Sequence, residues 1–183
     1  MDSPQITILG IGNILFRDEG FGVRVIERLQ EWYAFSDNVS IIDGGVLGMN
    51  LLGVLAECDH LIVIDAVRNK SRPGTLLRLA GEEIPARIRA KNSLHQVDFL
   101  EALTLCQALD KVPETIILGI EPEDIETLGD ELTPLIQSAI NPMIEMVLQE
   151  IVRIGASYTK RNLNVVKAED AADPGRPGCL GEF

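Results

Sequence analysis

Hydrophobic and polar residues alternate along the first third of the chain in the pattern of parallel β-α-β units. Apolar, β-branched runs at 5–10, 39–43 and 61–64 have the length and composition of buried strands. Apolar residues return at helical spacing between 21 and 33 and, over a shorter stretch, between 49 and 58. Strands that alternate with helices predict a mostly parallel sheet covered on both faces. The predicted fold class is therefore α/β.

The rest of the chain continues this pattern. Residues 75–79 alternate after a Pro-Gly turn and predict an antiparallel edge strand, and residues 115–120 predict another buried strand. Residues 93–96 have the S-x-x-Q form of a capping box, which predicts a helix that continues to residue 109. Thr133 and Pro134 predict the N-cap and first position of a long last helix, in which Pro142 predicts a kink.

Composition predicts where the folded domain ends and in which compartment the protein is found. The chain has 183 residues, and we expect one α/β domain over 1–155. After residue 155 the apolar periodicity fades into Ala, Asp, Glu, Pro and Gly, so we expect a flexible tail over 156–183. No apolar run has the length of a membrane span, and the N-terminus lacks a basic and hydrophobic leader. We therefore expect a cytoplasmic protein without membrane insertion.

Charge and cysteine content exclude several classes of function. The chain has 16 Lys and Arg against 28 Asp and Glu, a formal charge of −12, so it lacks the basic surface that binds nucleic acids. Its three cysteines have neither metal-site nor disulfide-framework spacing, which indicates a reducing compartment. Seven acidic residues and no basic one lie between Glu114 and Glu131, and they predict a solvated acidic loop.

Carboxylates follow three successive predicted strands. Asp18 and Glu19 lie in the loop after the first strand, Asp43 ends the second and Asp65 ends the third. Parallel strands place their carboxyl ends on one sheet edge, and a strand order of 2-1-3 puts a cleft between strands one and three. Glu19 and Asp65 would then line opposite walls of that cleft. His95, near the start of a predicted helix, belongs to the same edge.

Two carboxylates and one imidazole form a ligand set for a divalent metal such as zinc, nickel or iron, with positions left for substrate. Simpler interpretations remain open for single residues. Glu19 could complement a helix dipole, Asp18 could be a plain N-cap, and Asp43 could form an Asx-turn. Asp65 is harder to dismiss, because a carboxylate that ends an apolar strand is costly unless it is paired, hydrogen-bonded or metal-bound.

Two other classes of site fit poorly. The sequence G-I-G-N-I-L at 10–15 begins like a dinucleotide fingerprint, but Leu15 replaces the third glycine. Asp18 and Glu19 would also repel a bound phosphate. A serine hydrolase is disfavoured because the chain has no G-x-S-x-G sequence.

One long, spaced motif identifies a family. The pattern G-x-G-N-x-L-x-x-D-E-x-x-G-x-R is met in full between Gly10 and Arg24, and Asp43-Gly-Gly45 and Val63-Ile-Asp-Ala66 follow it. In these residues the chain resembles the maturation endopeptidases of nickel-iron hydrogenases. Further short matches, among them Ser93-Leu-His-Gln96, extend the resemblance over about residues 5–152.

This resemblance implies a fold and an activity. The fold would be a single-domain α/β/α sandwich around a twisted, mostly parallel sheet. The activity would be one cut that removes a C-terminal extension from the hydrogenase large-subunit precursor after nickel insertion. The family's metal ligands fall on Glu19, Asp65 and His95, and the nickel would be supplied by the precursor, with zinc or cadmium as substitutes in vitro.

The catalytic assignment rests on the same resemblance. Asp43 is the candidate for activating water or holding the peptide, with Glu19 and Asp65 as further catalytic candidates, in an aspartic-type or metal-assisted peptidase. Two alternatives remain open: a non-catalytic docking module that senses the metal state of a partner, and a sibling peptidase of the same fold with a different precursor, such as a germination protease.

Overall fold

The computed structural model describes residues 3–45, 53, 55, 57–81, 83–84 and 112–162. A 3-10 segment, Arg17–Gly20, precedes the first helix. The other elements, in chain order, are β1 (Ile6–Ile11), α1 (Phe21–Trp32), β2 (Tyr33–Phe35), β3 (Val39–Gly45), β4 (His60–Ala66), β5 (Leu76–Ala80), β6 (Glu114–Ile120), α2 (Pro134–Ser138), α3 (Ile140–Ile154) and β7 (Tyr158–Lys160).

Five of these strands form one sheet in the order β3-β1-β4-β6-β5. Neighbouring strands are parallel except β5, which pairs antiparallel with β6 at the sheet edge. The α/β fold and the antiparallel edge strand are confirmed. The order β3-β1-β4 is the predicted 2-1-3 arrangement, so the reversal of strand order lies between β1 and β4.

The sheet is buried on both faces. Along β1, Ile6 and Ile8 belong to the core that contains α1 and α3, whereas Leu9 and Ile11 belong to a second core with Leu55. This alternation is the two-residue period of a strand. Every residue of β1 is buried, as expected for a central strand of a covered parallel sheet.

The predicted long last helix is interrupted rather than kinked. Thr133 and Pro134 occupy the predicted N-cap and first positions, but α2 ends at Ser138 and α3 begins at Ile140. Pro142 has no N–H to donate to the carbonyl of Ser138 four residues earlier, so the helix is interrupted there.

A small second sheet joins two segments that the sequence pattern predicted as the end of a helix and as part of the tail. Tyr33, predicted as the end of a helix, begins β2, which pairs antiparallel with β7. Tyr33, Phe35 and Tyr158 pack with ring centroids 5.6–6.4 Å apart. β7 lies beyond residue 155, in the part of the chain that composition assigned to the tail. Residues 163–183 lie outside the described part of the chain.

Two predicted helices fall wholly or largely outside the described residues. Of the helix predicted at 49–58, the structure describes Gly53, Leu55 and Glu57, which are helical, and Cys58, which is not. The capping box at 93–96 and the helix that follows it are not described. No described helix is long and apolar enough to cross a membrane.

Candidate active site at the carboxyl ends of the strands

Asp65 lies at the carboxyl end of β4 and is 8% exposed. Its partner in the sheet register is Gly119 of β6. A β-carbon on Gly119 would lie 2.8 Å from methyl groups of Leu77 and Val67, so any larger residue at this position next to Asp65 would have to displace these side chains. Strand alternation places the Asp65 side chain on the face of Val63, opposite to α1. Asp65 is therefore a buried carboxylate at a crowded strand end.

Glu19 lies in the 3-10 segment and is half-buried. Helix α1 begins only at Phe21, with Gly20 as its N-cap residue, so Glu19 precedes the first turn of α1. The loop folds back over the end of β1 at Gly12, where φ is +140° and a β-carbon would collide with the carbonyl oxygen of Glu19. A glycine at position 12 thus fixes where the backbone of Glu19 lies.

The segments that carry Glu19 and Asp65 meet at the reversal point of the sheet. A β-carbon on Gly22 would collide with the carbonyl oxygens of Ile11 and Ile64, so the start of α1 lies directly on β1 and β4. The 3-10 segment also contacts β4. Glu19 is three residues before Gly22, and Asp65 directly follows Ile64. The predicted proximity of these two positions therefore rests on close backbone packing.

Asp43 lies at the same carboxyl-end edge of the sheet as Asp65, but on the opposite face. It is exposed, and its register partner is Gly10 of β1, the strand that separates it from β4. Ile41, two residues earlier, packs against the α1 core, so alternation puts Asp43 on the α1 face and Asp65 on the other. The Oδ1 atom of Asp43 accepts the Gly45 N–H at 2.9 Å, which forms the Asx-turn anticipated as its simpler role.

The third predicted metal ligand, His95, lies outside the described residues. Among the residues that are described, no three His, Cys, Asp or Glu side chains form a group that would hold a metal ion. His60, the other histidine, opens β4 at the opposite end of the strand from Asp65, 3.4 Å from Glu114. The ligand set of Glu19, Asp65 and His95 therefore stays a prediction.

Asp18 is a structural anchor and not the plain N-cap considered above. Its carboxylate is fully buried and accepts four hydrogen bonds from the segment after β6. The donors are the amides of Glu123 at 3.0 Å and Asp124 at 2.8 Å, together with the amide and hydroxyl of Thr133 at 2.7 and 3.1 Å. We call residues 121–133, which follow β6, the acidic segment. Asp18 thereby ties the acidic segment to the loop that carries Glu19.

Glu121 is a further buried carboxylate, and it corrects the expectation of a solvated acidic loop. It directly follows β6, is 7% exposed, and accepts the amide N–H groups of Asn69 and Ser71. It thus shapes the loop after β4. Glu121 follows β6 directly, as Asp65 ends β4, so its place at the carboxyl end of a buried strand is the sequence signal that identifies it.

Asp124 is held in its charged form within the same segment. Hydrogen bonds from Thr127, then from the Glu126 amide, and the guanidinium of Arg17 at 3.4 Å lower the pKa of Asp124 from 3.8 to about 2. At neutral pH this carboxylate is fully ionised, so the Arg17–Asp124 pair persists across the physiological range.

Comparison with known proteins places this arrangement in a family. The family model described as hydrogenase maturation protease matches residues 23–150. The hydrogenase 2 maturation protease of Escherichia coli is 41% identical over 86% of this chain and 96% of that protein. The hydrogenase expression/formation protein HupD of Thiocapsa roseopersicina is 38% identical over 96% of this chain and 84% of its own length.

A solved structure agrees with these sequence matches. The hydrogenase maturating endopeptidase HybD from E. coli superimposes with a TM-score of 0.82 at 39% identity, covering 86% of this chain and 98% of that one. The resemblance carried by the Gly10–Arg24 motif is thus confirmed. The chain belongs to the hydrogenase maturation protease family, peptidases that process the hydrogenase large subunit at its C-terminus.

Proposed function

We propose that this protease cuts the C-terminal extension of the nickel-iron hydrogenase large-subunit precursor in the cytoplasm, and only after nickel insertion, because Glu19, Asp65 and His95 bind the precursor's nickel. The observation that supports this proposal is the close packing of Gly22 against Ile64, which brings the segments of Glu19 and Asp65 to one sheet edge. Carboxylate and imidazole groups are suitable ligands for nickel.

Binding the precursor's nickel would position the scissile peptide. Fixing a substrate in a reactive geometry can supply about 7 to 11 kcal/mol of the barrier in favourable cases. Asp43 would then activate the attacking water as a general base, as in an aspartic-type peptidase, or hold the peptide while the metal polarises its carbonyl. The exposed position of Asp43 at the same edge is compatible with either role.

The test compares nickel-loaded and nickel-free precursor, with cleavage read as the mass lost from the C-terminus. Wild-type protease should cut only the loaded form, and Glu19→Gln, Asp65→Asn and His95→Gln should each reduce cleavage. Glu31→Gln is the matched control, because Glu31 lies exposed on α1 and pairs only with Arg28 among the described residues. Equal cutting of both precursors would overturn the nickel requirement.

Binding of zinc or cadmium to the isolated protease gives a readout that does not depend on activity. Both ions accept carboxylate and imidazole ligands, so they should bind to the wild type and more weakly to Glu19→Gln, Asp65→Asn and His95→Gln. Unchanged binding in all three ligand variants would remove these residues from the metal site. Binding of the loaded precursor without any cleavage by the wild type would favour the docking-module alternative.

A further inference from the structure

Three large apolar side chains are exposed beside the candidate active site. Ile14, Leu15 and Leu128 are 40%, 62% and 72% exposed. Ile14 and Leu15 lie in the loop between β1 and the 3-10 segment, and Leu128 lies in the acidic segment after β6. We call these three residues the rim patch. Single exposed apolar residues are ordinary, but a cluster beside a site indicates an interaction surface.

Backbone pairing holds two members of the rim patch side by side. The Gly129 N–H donates to the carbonyl of Leu15 at 3.0 Å, and the Arg17 N–H donates to the carbonyl of Gly129 at 2.8 Å. These bonds form a parallel bridge between Phe16 and Gly129. Leu15 and Leu128 directly precede the bridged residues, so they project from the same side of the pair.

Ile14 connects the rim patch to the active site. A β-carbon on Gly20 would lie 3.3 Å from the Cγ2 atom of Ile14. Gly20 directly follows Glu19, the proposed ligand of the precursor's nickel. A partner that covers the rim patch therefore lies next to Glu19.

The rim patch is also fixed in place before any partner binds. Asp18, buried beneath it, accepts hydrogen bonds from Glu123, Asp124 and Thr133, on either side of Leu128 in the chain. A surface that is already ordered pays less conformational entropy on binding. This rigidity suits the patch to a defined docking partner.

The charge around the rim patch indicates what kind of partner segment would bind there. Glu123, Asp130 and Glu131 are exposed near Leu128. Three arginines also reach this segment: Arg17 and Arg68 pair with Asp124 and Glu126, and Arg24 donates to the backbone carbonyl of Asp130. Among the described residues none of these arginines forms an ion pair with the three exposed carboxylates, so the border keeps a net negative charge. The chain as a whole carries a formal charge of −12. An apolar centre with an acidic border complements a segment that has apolar side chains flanked by Lys or Arg.

We propose that the rim patch docks a segment of the large-subunit precursor in which apolar side chains are flanked by basic ones, and that this contact helps to deliver the scissile peptide. The proposal rests on the proposed function, since the partner is the same substrate. It adds a substrate-binding surface made of Ile14, Leu15 and Leu128 that acts through binding and takes no part in the chemistry.

The test replaces Leu15 and Leu128 by Ser, singly and together, and measures KM and kcat on nickel-loaded precursor. The double variant should raise KM about tenfold or more, because two leucines lose their buried contacts, while kcat stays within about twofold. Val152→Ser is the matched control, since Val152 is 59% exposed on α3 and lies outside the patch. The free energy of unfolding should stay unchanged in all variants, because these side chains are exposed.

Two further experiments test the charge complementarity and the direct contact with the precursor separately. Higher ionic strength should raise KM for the wild type, and Glu123→Gln with Glu131→Gln should reduce that salt dependence. A photo-crosslinking residue at position 15 should capture a precursor peptide that is apolar and basic. Capture of an acidic peptide or of a second copy of this chain would overturn the proposal, as would an unchanged KM in the double leucine variant.

These outcomes separate the docking proposal from the proposed function. An unchanged KM with intact nickel dependence would overturn docking at the rim patch alone. A raised KM with equal cutting of loaded and nickel-free precursor would overturn nickel recognition and leave the docking surface standing.

Discussion

Thr133 donates two hydrogen bonds to the buried carboxylate of Asp18, from its backbone N–H at 2.7 Å and from its hydroxyl at 3.1 Å. The hydroxyl is thereby used for a contact across the molecule and does not cap the helix that Thr133 precedes. Asp18 and Glu19 are adjacent in sequence but have separate roles. Asp18 faces inward and anchors the acidic segment, which leaves Glu19 as the residue of the pair that we assign to the substrate.

We expect Asp18→Ala to lower the free energy of unfolding by about 3 kcal/mol or more, because several buried donors lose a charged acceptor. Thr133→Val removes only the hydroxyl bond and should cost about 1 kcal/mol. Urea denaturation of the two variants measures both values. An equal decrease in the free energy of unfolding in both variants would contradict a role in which Asp18 accepts hydrogen bonds from four donors.

Gly22→Ala should destabilise the fold and reduce cleavage together. The added methyl would collide with carbonyl oxygens of Ile11 and Ile64, and overpacking of this kind costs about 1 to 3 kcal/mol. The collision also moves the start of α1 and with it the segment of Glu19. Gly53→Ala is the control: Gly53 is helical with nothing within 4 Å of an added β-carbon, so stability should stay equal or rise. Thermal unfolding and the precursor cleavage assay provide the two readouts.

The sheet and the meeting of the segments of Glu19 and Asp65 at one of its edges could be predicted because they depend on local patterns. Hydrophobic alternation defined the strands of the main sheet, and the parallel order brought the ends that carry Glu19 and Asp65 to one edge. The face of the sheet on which a side chain lies follows from strand alternation, and therefore depends on the register in which each strand pairs. For this reason the opposite faces of Asp43 and Asp65 became visible only in the structure.

The features that the sequence did not predict depend on distant partners. The amide donors to Asp18 lie 105 to 115 residues away along the chain, and no local pattern identifies them. The pairing of β2 with β7 likewise joins three-residue strands whose residues fit a helix and a tail when taken alone. Thus the residue types and spacing of the Gly10–Arg24 motif predicted the family, while the anchoring role of its Asp18 needed the fold.

Acid should loosen the acidic segment through Asp124. The pKa of Asp124 is lowered to about 2 in the folded protein from 3.8, so its ionised form stabilises the fold above pH 3.8 and this contribution is lost as pH falls through about 2. An NMR titration of the Asp124 carboxyl should give that low midpoint. The Asp124→Asn variant should show a weaker pH dependence of stability between these values, and an Asp124 midpoint near 3.8 would contradict the hydrogen-bonded state.

The ion pair between Arg78 and Glu150 joins the edge strand β5 to α3. Arg78 donates from Nε at 2.6 Å and from Nη2 at 3.3 Å, and Glu150 is 8% exposed. Arg78→Met should cost about 3 kcal/mol, because it leaves the buried Glu150 carboxylate with only the exposed Arg153, at 3.2 Å, as an ion-pair partner among the described residues. The double variant Arg78→Met with Glu150→Leu should recover most of that loss in urea denaturation. A double variant as unstable as the sum of the single ones would show that the pair is not coupled.

Asp43 offers a substitution pair that separates chemistry from architecture. Asn at this position retains a side-chain oxygen that can accept the Gly45 N–H and preserve the Asx-turn, whereas Ala removes both the turn and the carboxylate. If Asp43 activates water, Asp43→Asn should lower kcat by about 10²-fold to 10⁴-fold with unchanged unfolding stability and retained binding of the loaded precursor. If Asp43 only forms the turn, Asp43→Asn should cleave normally and Asp43→Ala alone should lose activity. Cleavage kinetics of both variants on nickel-loaded precursor distinguish the two roles, because the carboxylate is lost in both variants and the turn in only one.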